Sequence, residues 1–439
     1  MNKFCLHLIP ILSALVVTAF FGVSKSVAQQ GPEIERADVE RIVSTLASDD
    51  MQGRRAFSEY AVRAAEYLAG EFEAAGLESP EGDDYLQHFS AQTVTYRNAR
   101  VTVDGRALSP DRVLVSPGVA SFSWSTGDAE VIVVGPDDEP IEALSIASTV
   151  GIDALILMNT IHEERLRQLA PMIRRPVRTL SGSPGRTIVL ALSDAGPEVT
   201  YRISGTATVE EQPLVNVVGM LPGQRTDEYV LFSAHYDHIG FTRTGGQADS
   251  IYNGANDNAS GVSAVVMLGK YFARQGTPER TLLFAAFTAE ETGGYGSRYY
   301  SNQVDPDQIM AMFNLEMIGK PAVEGPNTAW ITGFERSSFG RILQEAVQGT
   351  QYEFYPDPYP DQGLFYRSDN ATLARLGVPA HSISTTPIDV DQDYHQVTDH
   401  VQTLDLDHLT NTIQAIAMGA RTIISGDSTP TRVDPATVN

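Results

Sequence analysis

From Leu214 onward the chain alternates short apolar runs with stretches of helical periodicity, and this alternation constrains its fold more than any other feature. LVNVVGM (214–220), YVLFSAH (229–235), TLLFAAFTA (281–289), MAMFNLEMI (310–318) and VPAHSIS (378–384) each read as a strand. Between them, Ala259 to Arg274 reads as a helix, and Leu404 to Ile424 closes the series as a long one. Strands with no polar face must be covered on both sides. The alternation therefore predicts an α/β fold: a mixed, mostly parallel sheet with helices on both faces.

Upstream the texture changes. Ala37 to Gly76 predicts two helices around a Gly-Arg-Arg turn; Ala61, Ala64, Ala65, Leu68, Phe72 and Ala75 fall at helical spacing in the second, and Gly76 ends it. The stretch 93–208 holds short β-rich runs (VTVDG, VIVVG, ALILMN, TIVLAL, TYRISGTATV) separated by Gly, Pro and Asp, which predicts a β-rich inserted module. The domain expectation is a main unit over 29–92 and 209–426, the insert over 93–208, and a flexible Pro/Thr/Asp-rich tail over 427–439.

Residues 1–28 are set apart as a secretory signal peptide. Lys3 supplies the positive start, residues 6–23 the apolar run, and Ser26-Val27-Ala28 a small-x-small cleavage site before Gln29. Pro10, Ser13 and Gly22 interrupt the run and argue against a stable membrane anchor. The signal places the mature chain in the periplasm or outside the cell. Cys5 is the single cysteine and leaves with it, so no disulfide is expected. Roughly four hundred remaining residues suffice for a stable core without one. The net charge of −24 argues against nucleic acid or an anionic membrane as partner. Its plain reading is solubility.

The chemistry gathers where strands stop. In open α/β sheets, ligands sit beyond the carboxyl ends of the strands. His235, Asp237 and His238 follow one strand; Asp257 lies in NGANDNASG, a loop opening a helix; Glu290-Glu291 end another strand; Glu316 ends a third; His395 lies in DYHQVTD before the last helix. Each has a bland reading alone. Asp257 alone is a helix cap, Glu290-Glu291 a solvated pair, and a lone histidine a satisfied one. Five segments aimed at one edge argue jointly for a site. Two histidines with three carboxylates suit a pair of divalent ions, zinc by ligand type, with one carboxylate bridging. Asp237, two residues past His235, can accept the far ring N–H and fix the tautomer. Of the adjacent Glu290 and Glu291, one can bind metal while the other acts as general base.

Taken in order, AHYDHIG, NGANDNASG, FTAEETGGYGSRYY, FNLEMIG, FYRSDNATLARLGVPAHSIST and DYHQVTD resemble the secreted di-zinc aminopeptidase family, which also contains glutamate carboxypeptidase and the transferrin receptor ectodomain. LASDDMQGRR and YLQHF resemble its N-terminal segment. The resemblance implies two zinc ions and peptide substrates. It implies Asp257 as the bridging ligand, His235 and Glu316 as ligands of one zinc, and Glu291 and His395 of the other. Glu290 matches the general base and Asp237 the residue orienting His235. Tyr394 matches a tyrosine that hydrogen-bonds the oxyanion in some members, with a packing role as its alternative. Two departures stand out. Many members have Asp where this chain has Glu316, and His where it has Asn370, which bears on substrate preference. His238 reads as structural because the ligand set is complete without it. The insert resembles, in placement, a protease-associated module. On this reading it restricts access to short peptides.

The leading expectation is a zinc exopeptidase, an aminopeptidase. A carboxypeptidase or dipeptidase on the same ions would need a basic group near the pocket, for which Arg367 or Lys320 could serve. A non-catalytic binding ectodomain would be free to lose ligands, and none is lost here. A glutaminyl-cyclase-like transferase is expected to have a reduced metal site. The sequence leaves the oligomeric state open.

Overall fold

A computed structural model describes residues 33–438, apart from 81, 83, 183–184 and 243–249. The expected signal peptide, Cys5 included, lies outside the described residues. Eight strands form the spine of the main sheet: β1 (Leu86–Val103), β2 (Tyr201–Leu221), β3 (Arg225–His235), β4 (Arg280–Phe287), β5 (Ile309–Leu315), β6 (Thr328–Ile331), β7 (Glu353–Pro356) and β8 (Ala380–Ser384). Their spatial order is β7-β6-β8-β5-β3-β4-β2-β1. The central four, β8, β5, β3 and β4, run parallel, while β6 and β2 flank them antiparallel. The sheet is thus mixed and mostly parallel at its centre, as the alternation predicts.

Nine α-helices accompany it among the described residues: α1 (Arg36–Leu46), α2 (Glu59–Ala74), α3 (Pro140–Val150), α4 (Glu163–Ile173), α5 (Gly261–Ala273), α6 (Tyr295–Ser301), α7 (Phe339–Ala346), α8 (Asn370–Ala374) and α9 (Leu406–Ile424). The strand VLFSAH shows why both faces are covered. Val230, Phe232 and Ala234 point into a core shared with α1, α2, α5, α7 and α9, whereas Leu231 points into a second core with α6 and α8. Phe232 stacks on Phe313, Phe284 and Phe272, with centroids 4.8, 5.5 and 5.7 Å apart. Each such fully buried ring contributes about 1.5–3 kcal/mol through area removed from water. The helix ends follow their sequence signals. Ser58 caps α2 by accepting the Ala61 N–H, and the Asp405 carboxylate caps α9 by accepting those of Asp407 and His408.

The inserted stretch is less purely β than its runs suggest. Val113–Ser116, Ile188–Leu192, Ala154–Met158 and Glu130–Val134 form a four-stranded sheet in that order, with α3 and α4 packed against it. The sequence reading misses both helices. PIEALSIASTV is apolar on most sides and rich in β-branched residues, so it lacks a helical stripe, and Pro171 interrupts the pattern of EERLRQLAPMI. β1 and β2 pair from Leu86 opposite Val217 to Val103 opposite Tyr201, with one register shift between Tyr96 and Asn98, so one long hairpin belongs to the main sheet at its base and carries the insert at its tip.

The tail corrects another expectation. Val433 and Val438 are buried in the second core, and the Arg432 guanidinium donates to the carbonyls of Ile309 and Pro306. Residues 427–438 are a docked strap rather than a flexible end.

Candidate metal centre

Because β3, β4 and β5 are parallel neighbours, their carboxyl ends share one edge. His235 is the last residue of β3; Glu290 and Glu291 follow β4 after Thr288 and Ala289; Glu316 follows β5 directly. Asp257 comes from the irregular turn Ala255–Ser260 before α5, and His395 from the loop between β8 and α9. The structure brings all of these together. His235 Nε2 lies 3.3 Å from Asp257 Oδ1 and 3.2 Å from Glu316 Oε1. His395 Nε2 lies 3.2 Å from Asp257 Oδ2 and 3.2 Å from Glu291 Oε2. The two oxygens of one carboxylate therefore face two different donor groups.

Two further side chains complete the arrangement. His238, fully buried, places Nδ1 2.8 Å from Glu291 Oε1 and 3.7 Å from Asp257 Oδ2. It forms a donor trio with those two carboxylates, parallel to the trio of His235, Asp257 and Glu316. The purely structural reading of His238 therefore gives way to one within the site. Ser368 donates to Glu316 Oε2 at 2.6 Å and holds that carboxylate from its far side.

Asp237 takes a different part from the one expected. The Nδ1 of His235 faces the main-chain carbonyl of Asp237 at 3.1 Å, while the carboxylate stands 3.9 Å away. That carboxylate instead accepts the backbone N–H of Glu290 at 3.0 Å. One residue thus orients His235 with its backbone and fastens the Glu290 loop with its side chain. Asp399, four residues past His395, accepts the N–H groups of Asn256 and Asp257 and ties the last loop to the turn that carries Asp257. DYHQVTD contains this residue, but its signal in sequence is only that of a common loop aspartate.

Burial opposes ionisation of Asp257, yet the imidazoles of His238, His235 and His395 hold it well below the usual carboxylate range. Burial also works against the His395 imidazolium, but Asp257 and Glu291 raise it to about 10. Burial pushes Glu290 well above the ordinary value, and Asp369, Glu316 and Glu291 add to this. Burial, with Asp257 and Glu291, likewise pushes the Tyr394 hydroxyl up, so it remains a donor. The Tyr394 ring stacks on His395, with centroids 4.0 Å apart. Imidazole and carboxylate donors converging on two points around a shared Asp257 fit a pair of zinc ions.

The centre opens into a cleft whose apolar lining includes Met317, Trp330, Leu364 and Ile388. Of the two basic candidates, the Lys320 ammonium is committed to Asp391 and Asp393, at 2.5 and 2.8 Å. Arg367 lines the cleft, is exposed, and makes no ion pair among the described residues. Asn370 does not line it. Fully buried, it donates to the Phe365 carbonyl and accepts from Ser382, so it supports the loop beneath the cleft.

Residues 216–420 match the model of Peptidase family M28. A probable leucine aminopeptidase 2 from Arthroderma benhamiae is 24% identical over 287 residues, covering 62% of this chain and 50% of that protein. Aminopeptidase YwaD from Bacillus subtilis is 26% identical over 182 residues, 39% of this chain and 36% of that protein. The chain thus spans about half the length of the fungal relative. Among solved structures, an aminopeptidase from Aneurinibacillus sp. strain AM-1 superposes with a TM-score of 0.53 at 16% identity, over 93% of this chain and 96% of that one. The zinc aminopeptidase BSAP from Bacillus subtilis gives 0.53 at 16%, over 89% and 95%. At these identities the structural likeness establishes the fold.

Proposed function

Since residues 216–420 match the model of Peptidase family M28, we propose that the chain is a zinc exopeptidase releasing the N-terminal residue of peptides. Two zinc ions would be held by His235, Glu316 and one oxygen of Asp257, and by Glu291, His395 and the other oxygen, with His238 braced against Glu291. Bound there, zinc supplies polarisation of the peptide carbonyl and a lowered pKa for water. Glu290 accepts the proton of the attacking water and returns it to the departing amine. Asp237 keeps the Glu290 loop in place through the 3.0 Å bond to its N–H. Tyr394 donates its hydroxyl to the developing oxyanion. The apolar lining receives the side chain of the terminal residue.

The observation behind this reading is Asp257, with one oxygen at 3.3 Å from His235 and the other at 3.2 Å from His395. Metal analysis of the purified protein, with aminoacyl-nitroanilide hydrolysis before and after chelation, tests it. Two zinc ions per chain and activity restored by zinc are expected. Glu290→Ala should keep both ions and lower kcat by about 10²–10⁴-fold; undiminished turnover in that variant removes the mechanism.

A second reading has one observation in its favour. The uncommitted guanidinium of Arg367 at the cleft suits the terminal carboxylate of a dipeptide. Cleavage of free dipeptides far ahead of nitroanilides and longer peptides would select it. Export follows from residues 1–28 and is tested by N-terminal sequencing of the mature protein, with Gln29 expected first.

A further inference from the structure

Arg54 lies in the turn Asp49–Arg54 between α1 and α2, outside the stretch matched to the family. It is a fully buried arginine, and no carboxylate pairs with it among the described residues. Its partners are four backbone carbonyls. Nε donates to Tyr236 at 2.7 Å, one terminal nitrogen to Leu46 and Asn253 at 2.6 Å each, and the other to Gly254 at 2.9 Å. Three of the four belong to loops that carry the site. Tyr236 stands between His235 and Asp237, and Gly254 precedes Asp257 by three residues. The backbone carbonyl of Arg54 accepts the N–H of His238 as well, at 3.4 Å.

Burying an unpaired guanidinium costs several kcal/mol unless opposite charge lies near. Here the nearby charges are Asp399, Asp257, Asp237 and Glu291, the carboxylates of the site itself. Arg54 therefore backs the anionic cluster with a positive charge while touching only main chain. The turn is seated tightly. A Cβ on Gly53 would lie 2.4 Å from the carbonyls of Gly240 and Tyr252, and Gln52, Gly53 and Arg54 all have positive φ. Only a planar fork with several N–H groups reaches carbonyls on three segments at once; an ammonium has three donors at a single point.

We infer that Arg54 is a positioning residue for the metal centre, fastening the His235–Asp237 loop to the loop before Asp257 and so setting the spacing between the two donor groups. This rests on the reading of the site as a zinc centre. Zinc affinity of the full-length protein, measured by chelator competition well below each variant's melting temperature, is the test. Arg54→Met should weaken zinc binding by about 10–100-fold, the range for lost outer partners of metal ligands. It should also lower kcat more than it raises KM. Guanidinium ion added to Arg54→Ala should restore part of the affinity, and ammonium at equal ionic strength should not. A folded Arg54→Met with wild-type zinc affinity and wild-type kcat overturns the inference, because a residue that only stabilised the N-terminal helices would leave both intact. Should the Met and Ala variants not fold, Arg54→Lys decides. It keeps the charge with too few donors, so several-fold weaker zinc binding supports the inference and wild-type binding overturns it. Wild-type protein that binds no zinc would remove the reading of the site before any question about Arg54 arises.

Discussion

Asp257 needs both of its oxygens, and its neighbours show how the chain keeps them aimed. Its N–H is held by Asp399, and its side chain is flanked by three imidazoles. Among these His238 is the least obvious, since a histidine directly after Asp237 looks redundant once His235 and His395 are assigned. The 2.8 Å contact with Glu291 gives it work: it holds the oxygen of Glu291 that His395 does not face. Replacing it by Phe preserves most of the packing and removes the contact. His238→Phe should weaken the zinc on the Glu291 side by about 10–100-fold and leave the His235 side nearly unchanged. A two-site metal titration separates the two. Equal affinity at both sites in the variant would return His238 to a packing role. The residue types of the site were legible because each sits at or just past the end of an apolar strand or in a loop leading into a helix. The division of labour was not, since sequence cannot say whether Asp237 meets His235 through its carboxylate or its carbonyl.

Secondary-structure elements were legible where burial left a pattern. β3, β4 and β5 lack polar faces because helices cover both sides, and α2 and α9 carry apolar stripes with a cap at the start. α3 was not legible because apolar residues surround it, and α4 because Pro171 interrupts an otherwise helical stripe. The strap after α9 escaped for a different reason. TPTRVDPATV reads as solvent-exposed, and nothing in it announces that Val433 and Val438 fill a gap over β5 and β8. Arg280 grips the same strap, donating to the carbonyl of Ser428 and the hydroxyl of Thr429 as well as to the carbonyl of Ile423. Val433→Ala should therefore cost about 1–3 kcal/mol, as expected for a truncated core side chain, and should lower the thermal midpoint. A frayed tail would tolerate the change with no shift at all.

At the scale of the whole molecule, the long hairpin decides how the insert communicates with the site. β1 and β2 carry it outward, yet Val177–Leu180 returns and pairs with Ala91–Val94 of β1. Leu180 joins a small core with Ala289, the residue before Glu290, and with Tyr295, whose hydroxyl donates to the carbonyl of Arg178. The insert thereby packs beside the loop that holds the proposed general base. Two roles can be told apart. If the insert limits the length of peptide admitted, removing it changes selectivity; if it only buttresses the loop, removing it lowers turnover on every substrate alike. Val103 and Tyr201 face each other, so residues 104–200 can be replaced by an Asn-Gly turn without breaking the register of the hairpin. The shortened protein should retain its zinc and show a raised ratio of kcat/KM on decapeptides to kcat/KM on dipeptides. Leu180→Ala, which loosens the buttress and leaves the insert standing, should lower kcat on both and leave that ratio unchanged. A shortened protein with the wild-type ratio would confine the insert to support of the Glu290 loop.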